Sequence, residues 1–266
     1  MPNKNVFTNS IDTSLRSGVY LIGAGPGAHD LITVRGAQIL AKADVVFCDA
    51  LIDPKMLQWC TQAEVVFVGK RCGKYSTSQL FINRQLTLAA KKYDVVVRLK
   101  GGDPLIFGRA SEEIEALNAE NIYFEVVPGI TTALAACAEL KQPPTERNIS
   151  RTLKITTLPS HLNYVGQDTL IYYMGREQLP QIAQELIAKG YALTTPVCIM
   201  ESVSLPDQRS FGACLEELLS FEKNPLFNEK KPVIVLIGNV YNKASQELTP
   251  LNPLFDQTHL YEGLAS

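Results

Sequence analysis

Short apolar runs of strand length alternate with helical patterns through the first half of the chain. Five of these runs are rich in β-branched residues, and they begin near positions 19, 44, 64, 94 and 122. Between most of them, apolar side chains recur at the spacing of a helix that buries one face, over residues 31–43, 78–92 and 110–120. Strands that alternate with helices indicate a mostly parallel sheet that is covered on both faces.

A proline pair, Pro143 and Pro144, interrupts this rhythm and excludes both a helix and a central strand at that point. We take it as a domain boundary, because the alternation resumes beyond it. Five further strand-like runs begin near positions 152, 168, 195, 208 and 231, with helical patterns from 178 and 212. The pattern predicts four segments: a flexible tail over 1–17, α/β domains over 18–140 and 148–245, and a polar tail over 246–266.

Composition and charge limit the classes of function. The chain has 266 residues, of which 46% are hydrophobic, and its formal net charge of −2 provides no overall basic field for nucleic acid or anionic lipid. The polar N-terminus lacks a signal-peptide core, and no run approaches the roughly 18 apolar residues of a membrane span. The six cysteines form no C-x-x-C pair, which favours a reducing compartment. We therefore expect a cytoplasmic protein without a nucleic-acid or membrane partner.

A glycine-rich turn follows the first predicted strand. Gly23, Gly25 and Ala28 satisfy the G-x-G-x-x-A form of the dinucleotide fingerprint, in which a bare turn lets a pyrophosphate approach a helix N-terminus. Taken alone, this match is compatible with a nicotinamide or flavin oxidoreductase.

A second glycine-rich turn weighs against that interpretation. The predicted strand that contains Arg98 and Lys100 is followed by Gly101, Gly102 and Asp103, and a helix opens several residues later. A simple dinucleotide fold does not need this second loop, although open α/β sheets bind ligands along the carboxyl edge of their strands. Two glycine-rich strand ends in one sheet suggest a shared cleft.

Six segments occur in the order and spacing of the tetrapyrrole methylases, and the chain resembles that family from about Gly18 to Val240. The segments are GAGPGAHDLIT, DVVFCDALI, FVGKRCGK, RLKGGDPLIFGRASEE, VVPGITTALAA and LIYYMG. The resemblance implies two α/β domains of the tetrapyrrole methylase type with the active-site cleft between them, and a homodimer. It also implies S-adenosylmethionine as the methyl donor in that cleft, with no dinucleotide at the first glycine turn.

The resemblance also implies which residues bind the methyl donor. At Gly101 and Gly102 a bulky zwitterionic ligand can lie against bare backbone, where amide groups can bond it. The implied residues are Pro26, Gly101, Gly102, Asp103, Ile106, Thr131, Thr132, Met174 and Val203.

Methylation of a ring carbon requires a base for the departing proton. Asp49, at the end of the second predicted strand, occupies the acid–base position proposed for the family, and Lys70 matches its proposed proton-donor partner. Arg109 is a third catalytic candidate. Because an arginine rarely deprotonates, we first assign Arg109 to a substrate carboxylate and leave a role in proton transfer open.

The implied acceptor, uroporphyrinogen III or a related tetrapyrrole, is a polycarboxylate that guanidinium and ammonium groups suit. The substrate-binding residues that we expect are Arg71, Lys100 and Arg147. The three histidines, His29, His161 and His259, lack the spacing of metal ligands, so we expect no metal site.

Two departures from the family pattern lie on the acceptor side. Ala50 stands where the family usually has arginine, and Glu146 where it usually has histidine. The lost cation, and an anion that can pair with Arg147, predict weaker acceptor binding. Two alternatives therefore stay open beside the first interpretation: a different precorrin methylase or diverged paralogue, and a sensor that binds the nucleotide without catalysis.

Overall fold

The computed structural model describes residues 15–68, 78–158, 168–221, 227–228 and 231–252. The chain divides into two compact units. The first runs up to Gly25 and then from His29 to Ile130, and the second contains Pro26–Ala28 and the chain from Thr131 onward. Each unit is built on a sheet of its own.

The first unit is a parallel five-stranded sheet with helices. Its strands are β1 (Gly18–Gly23), β2 (Val45–Asp49), β3 (Glu64–Val68), β4 (Val95–Lys100) and β5 (Phe124–Val127). Its helices are α1 (Val34–Leu40), α2 (Gln79–Ala90) and α3 (Ala110–Ala119), with 3₁₀ helices at His29–Leu31 and Pro54–Trp59. The strand order is β3-β2-β4-β1-β5, and every pairing is parallel, as predicted.

The central strand β4 is buried along its whole length. Val97 packs in a core cluster with Ile39 of α1, whereas Val96 packs in a second cluster with Leu86 of α2 and Leu117 of α3. Successive side chains of a strand point to opposite faces. The helices α2 and α3 therefore cover the face of the sheet that carries the even-numbered side chains of β4.

The second unit has a mixed six-stranded sheet. Its strands are β6 (Leu153–Thr156), β7 (Thr169–Tyr173), β8 (Pro196–Glu201), β9 (Arg209–Cys214), β10 (Val233–Ile237) and β11 (Thr249–Pro250). Its helices are α4 (Thr132–Glu139), α5 (Leu179–Ala188), α6 (Leu215–Leu219) and α7 (Asn242–Glu247), with 3₁₀ helices at Arg176–Gln178 and Asn239–Tyr241. The order is β11-β9-β8-β10-β7-β6. Strand β10 runs antiparallel to β7 and β8, as does β9 to β8.

The helix α4 belongs to the second unit. Its side chains Ala133, Ala136 and Cys137 pack in a core cluster with Ile171 of β7 and Met200 of β8. The division of the chain therefore falls between residues 130 and 131, before the predicted boundary. The proline pair lies inside the second unit.

The polar tail that we expected from residue 246 is structured in its first part. The helix α7 extends to Glu247, and β11 pairs in parallel with β9. Leu251 is buried in the core of the second unit, which anchors this segment. A Cβ atom added at Gly212 would lie 1.8 Å from the Ser245 carbonyl oxygen, so the backbones of α7 and β9 touch directly. The sequence did not predict this packing, because the segment is mostly polar and only a few apolar side chains take part in it.

The predicted N-terminal tail also ends earlier than expected. Leu15 packs against the core of the first unit, and the Tyr20 hydroxyl donates to the Arg16 carbonyl at 2.7 Å. Residues 1–14 lie outside the described part of the chain. Within the described ranges, no helix is both long enough and apolar enough to span a bilayer.

Candidate active site

Three glycine turns pack backbone to backbone at the carboxyl ends of β1, β4 and β5. Gly25 and Gly102 form an antiparallel bridge, in which the Gly102 amide donates to the Gly25 carbonyl at 2.7 Å. A Cβ atom would lie 2.6 Å from the Gly102 carbonyl oxygen if added at Gly23, and 2.2 Å if added at Gly129. Close packing of the three turns thus accounts for the glycines of the first turn without a dinucleotide.

Gly101 is glycine for a different reason. A Cβ atom added there would meet no heavy atom within 4 Å, and the residue is exposed. The carboxylate of Asp103 accepts from the Leu105 amide at 2.9 Å and from the Gly129 amide at 3.0 Å, which ties this loop to the turn after β5. The result is an open ledge of bare backbone on a fixed support. We call residues 101–103 the glycine ledge.

The loop that continues from the ledge is conformationally unusual. Phe107 and Arg109 have φ values of 52° and 56°, in the left-handed region that residues with a Cβ atom rarely occupy. Ile106 is partly exposed, at 37% of its surface. Strained backbone of this kind concentrates at ligand-binding sites.

A buried ionic cluster lies on the face of β4 that α2 and α3 cover. We call it the Glu113 cluster, after its central residue. Arg98 reaches the Asp49 carboxylate at 2.5 Å and the Glu113 carboxylate at 2.9 Å, and Lys100 reaches Glu113 at 2.8 Å. The side chains of Arg98, Lys100 and Glu113 are at most 3% exposed, whereas that of Asp49 is 32% exposed.

The environment sets the protonation of the two cations differently. Burial opposes the charge of Arg98, but the carboxylates of Asp49 and Glu113 outweigh it and raise the pKa of Arg98. For Lys100, burial and the neighbouring Arg98 cation outweigh Glu113 and lower the pKa. Asp49 therefore faces a guanidinium that stays charged.

The structure does not support the prediction that Lys100 binds the substrate. Its ammonium is buried and bound to Glu113, so it does not form part of an exposed cationic surface for an acceptor. The strand alternation explains this: Lys100 follows Val96 and Arg98 on the face that α2 and α3 cover. We withdraw Lys100 as a substrate contact.

The sequence did not suggest a buried role for Glu113, because Glu112 and Glu113 lie in the first turn of a helix, where acidic residues are favoured and are ordinarily exposed. The structure instead buries Glu113 completely. The signal in the sequence is its spacing, since Ala110, Glu113 and Leu117 share the buried face of α3.

Arg109 is an exposed cation in the loop that follows the glycine ledge. It forms two hydrogen bonds with the Glu112 carboxylate, at 2.7 and 2.8 Å, and this contact raises the pKa of Arg109 and lowers that of Glu112. Arg147 is also exposed. Glu146 accepts a hydrogen bond from Gln142 at 3.4 Å, and no ion pair joins it to Arg147 although both residues are described.

Two predicted site residues fall outside the described part of the chain, namely Lys70 and Arg71. Among the residues that the structure does describe, no group of three or more His, Cys, Asp or Glu side chains is arranged to hold a metal ion.

In the second unit, Thr131 and Thr132 begin α4. The Thr131 hydroxyl lies 2.5 Å from the Tyr173 hydroxyl, which accepts the Ala133 amide at 2.9 Å. Tyr173 thus caps α4, a function that sequence reasoning did not anticipate. Met174 follows it with a φ of 56° and is 63% exposed.

The segment Pro26–Ala28 lies against the loop after β8. The Ala28 amide donates to the Ser204 hydroxyl at 3.0 Å, and a Cβ atom added at Gly27 would lie 2.7 Å from the Val203 carbonyl oxygen. Two of the predicted donor residues, Pro26 and Val203, are therefore brought into neighbouring segments. The Val203 side chain is buried, which leaves its backbone as the group that could meet a ligand.

Comparison with known proteins gives consistent results. The sequence profile of the tetrapyrrole (corrin/porphyrin) methylases matches residues 18–219. A uroporphyrinogen-III C-methyltransferase of Cyanidium caldarium is 37% identical over 243 residues, which cover 85% of this chain and 94% of that protein. A siroheme synthase of Psychrobacter arcticus is 39% identical over 89% of this chain but only 44% of its own length. The chain thus spans about half the length of the siroheme synthases that it matches.

Among solved structures, the fold matches uroporphyrin-III C-methyltransferase from Thermus thermophilus complexed with S-adenosylhomocysteine, with a TM-score of 0.70 and 32% sequence identity. The match covers 85% of this chain and 94% of that one. The expected fold class is confirmed, and the chain belongs to the tetrapyrrole (corrin/porphyrin) methylases.

Proposed function

We propose that this protein is an S-adenosylmethionine-dependent C-methyltransferase that adds two methyl groups to uroporphyrinogen III. The product would be precorrin-2, for siroheme or cobalamin. The observation that carries the proposal is the glycine ledge, whose exposed Gly101 has open space where a side chain would stand. The likeness to the Cyanidium caldarium and Thermus thermophilus methyltransferases supports the choice of ligand and reaction.

The ledge fits a large ligand with polar groups at several points. Gly101 exposes backbone, and Asp103 holds the loop through two backbone amides, so the ledge is preorganised. S-adenosylmethionine supplies the electrophilic methyl group when bound. The residues that we assign to it are Pro26, Gly101, Gly102, Asp103, Ile106, Thr131, Thr132, Met174 and Val203.

The reaction forms a bond between the methyl carbon and a ring carbon while the bond from methyl to sulfur breaks. The methylated carbon already carries a side chain and no hydrogen, so the compensating proton leaves another position of the macrocycle. We assign that proton to Asp49, the half-buried carboxylate at the end of β2, with Lys70 as its proton-donor partner. The Arg98 guanidinium, 2.5 Å from the Asp49 carboxylate, orients it. The remaining catalytic contribution is the alignment of donor and acceptor.

We assign the acceptor carboxylates to three arginines: Arg71, Arg109 and Arg147. Arg109 and Arg147 are exposed, and guanidinium groups bind carboxylates through paired hydrogen bonds. Arg109 is paired with Glu112, so a substrate carboxylate must replace Glu112 or bind the guanidinium beside it. Arg109, the third catalytic candidate, is thus assigned first to substrate binding, with a role in proton transfer left open.

A second candidate function keeps the fold and the donor but changes the acceptor. Ala50 and Glu146 remove a cation and add an anion relative to the family pattern, which favours a different precorrin methylase or a diverged paralogue. Methylation of another tetrapyrrole with no turnover of uroporphyrinogen III would establish this candidate.

We also propose that the protein works as a homodimer in the cytoplasm. The five cysteines within the described ranges are free thiols, which supports a reducing compartment. Exposed apolar side chains on α2, at Leu80, Phe81 and Leu88, provide a surface that a second subunit would cover.

Calorimetric titration tests the donor site. We expect S-adenosylhomocysteine to bind and NAD to give no heat of binding. Gly101→Val, which fills the open space above the ledge, should abolish binding while the far-UV circular dichroism stays unchanged. The matched control is Asn118→Val, which adds the same side chain at an exposed position of α3 and should bind like the wild type. Binding of NAD without binding of S-adenosylhomocysteine would refute the proposal.

A further inference from the structure

Among the ionic side chains that the structure describes in the Glu113 cluster, Asp49 is the one that is exposed to solvent. The other three members of the Glu113 cluster are at most 3% exposed. Charges are tolerated inside a protein when each is paired and hydrogen-bonded, and even then an apolar group of similar volume often serves stability as well. Of this cluster, the proposed chemistry uses only Asp49 and the Arg98 guanidinium beside it, so Lys100 and Glu113 need a separate explanation.

Glu113 is the acceptor that the buried members share. Its Oε1 accepts from Arg98 Nε at 2.9 Å and from Gln79 Nε2 at 3.3 Å, and its Oε2 accepts from Lys100 Nζ at 2.8 Å. A guanidinium is planar and rigid. The bond at Nε, together with longer Nη1 bonds to the Phe47 and Leu99 carbonyls at 3.3 and 3.2 Å, therefore sets the direction of the Arg98 Nη2 group, which lies 2.5 Å from Asp49.

We propose that Glu113 is a positioning residue for Asp49 and acts through Arg98. It orients the guanidinium, and its negative charge offsets the two buried cations. Glu113 therefore weakens the positive electrostatic potential that Arg98 and Lys100 produce at the Asp49 carboxylate. This inference rests on the proposed function, because it assigns the departing proton to Asp49.

The charged and titratable groups that face Asp49 define the expected effect. Within the described ranges they are Arg98 and Lys100 of β4, Glu113 of α3 and the Cys48 thiol of β2. Without the charge of Glu113, two cations would favour the ionised form of Asp49 more strongly. A carboxylate that binds its proton more weakly is a slower base, so Glu113 preserves the basicity that proton removal requires.

The direct test is Glu113→Gln in the full-length protein. We expect the acidic limb of the pH profile of kcat to move down by about one pH unit, with kcat about tenfold lower. The KM for uroporphyrinogen III and the affinity for S-adenosylhomocysteine should stay within about twofold, because Glu113 contacts neither ligand. Glu115→Gln makes the same chemical change at an exposed position of α3 and should leave the profile unchanged.

A second readout does not depend on turnover. Titration of the ¹³C-labelled Asp49 carboxyl by NMR, assigned with Asp49→Asn, should show a lower midpoint in Glu113→Gln than in the wild type. The same comparison in a Lys100→Met background covers the case in which the single variant does not fold, because there the removed carboxylate leaves no excess buried cation. Glu113→Gln should lower the midpoint in that background too.

These readouts separate failure of the inference from failure of the proposed function. If the wild type methylates uroporphyrinogen III but Glu113→Gln changes neither the pH profile nor the Asp49 titration, the positioning role is overturned and the function stands. If the wild type transfers no methyl group while the Asp49 midpoint still moves, the coupling stands and the proposed function fails.

Discussion

At the scale of single residues, burial changes what a charged side chain can do. Lys100 carries a positive charge that would suit a polycarboxylate substrate, yet its ammonium group is buried and bound to Glu113. Removing one partner of such a pair typically costs about 3–5 kcal/mol, because the other charge is left buried and uncompensated. Substitution of Lys100 or Glu113 alone must therefore be read together with a measurement of stability.

The buried thiol of Cys198 gives a prediction for the pH dependence of stability. Burial raises the pKa of Cys198 from its ordinary value of 9.0 to about 12, and the nearby Cys137 adds to the effect. The unfolded chain loses this proton near pH 9 while the folded chain keeps it. The stabilising contribution is thus complete below pH 9 and is lost as the pH rises towards 12.

Cys198→Ala should therefore lose less stability than the wild type between pH 8 and pH 10, by about 1 kcal/mol. Urea unfolding at both pH values measures the difference. The half-buried Cys60 offers a matched control, and Cys60→Ala should show a smaller effect. An equal loss of stability in Cys198→Ala and the wild type would contradict this account.

The resemblance to the tetrapyrrole methylases pointed to Asp49, and that resemblance together with the second glycine-rich turn pointed to Gly101. The pairing of Arg98 with Asp49 and Glu113 was not predictable in the same way. It depends on the register between β2 and β4 and on the docking of α3, which are contacts between segments distant in the chain. Short-range patterns do not contain that information.

At the scale of elements, the three glycine turns act as one support. Gly23, Gly102 and Gly129 place their backbones closer together than any side chain permits. Gly101, directly beside them, has no such neighbour. Two kinds of glycine with different physical roles are therefore adjacent in the ledge.

This difference predicts opposite outcomes for two matched substitutions. Gly129→Ala should lower the free energy of unfolding by about 2 kcal/mol or more, because the new Cβ atom would lie 2.2 Å from the Gly102 carbonyl oxygen. Gly101→Ala should change it by less than about 0.5 kcal/mol. Denaturant unfolding of the two variants tests the prediction, and equal stabilities would show that the turns are not packed as described.

The elements that periodicity predicts well are those with a strong apolar stripe. All five strands of the first sheet and the helices α2, α3 and α5 lie where the pattern indicated. The helix α4 was missed because its alanine-rich sequence follows a turn and has little contrast between faces. The short helix α7 was missed because it is polar: Ala244 packs in the core, and the backbone of the helix touches β9 at Gly212.

At the scale of the whole molecule, each unit has a complete core of its own. The first sheet is packed on both faces by separate apolar clusters, and so is the second. The chain spans 94% of the Cyanidium caldarium methyltransferase and 44% of the Psychrobacter arcticus siroheme synthase. The two units therefore correspond to a recurring module that also occurs within longer proteins.

The central claim is that this module transfers methyl groups to uroporphyrinogen III with Asp49 as the base. The most direct measurement is mass spectrometry of the tetrapyrrole after anaerobic incubation of the protein with uroporphyrinogen III and S-adenosylmethionine. The account predicts a product with two added methyl groups, formed at least about 100-fold more slowly by Asp49→Asn although S-adenosylhomocysteine still binds. An unmodified tetrapyrrole after incubation with folded wild-type protein, or full activity in Asp49→Asn, would contradict it.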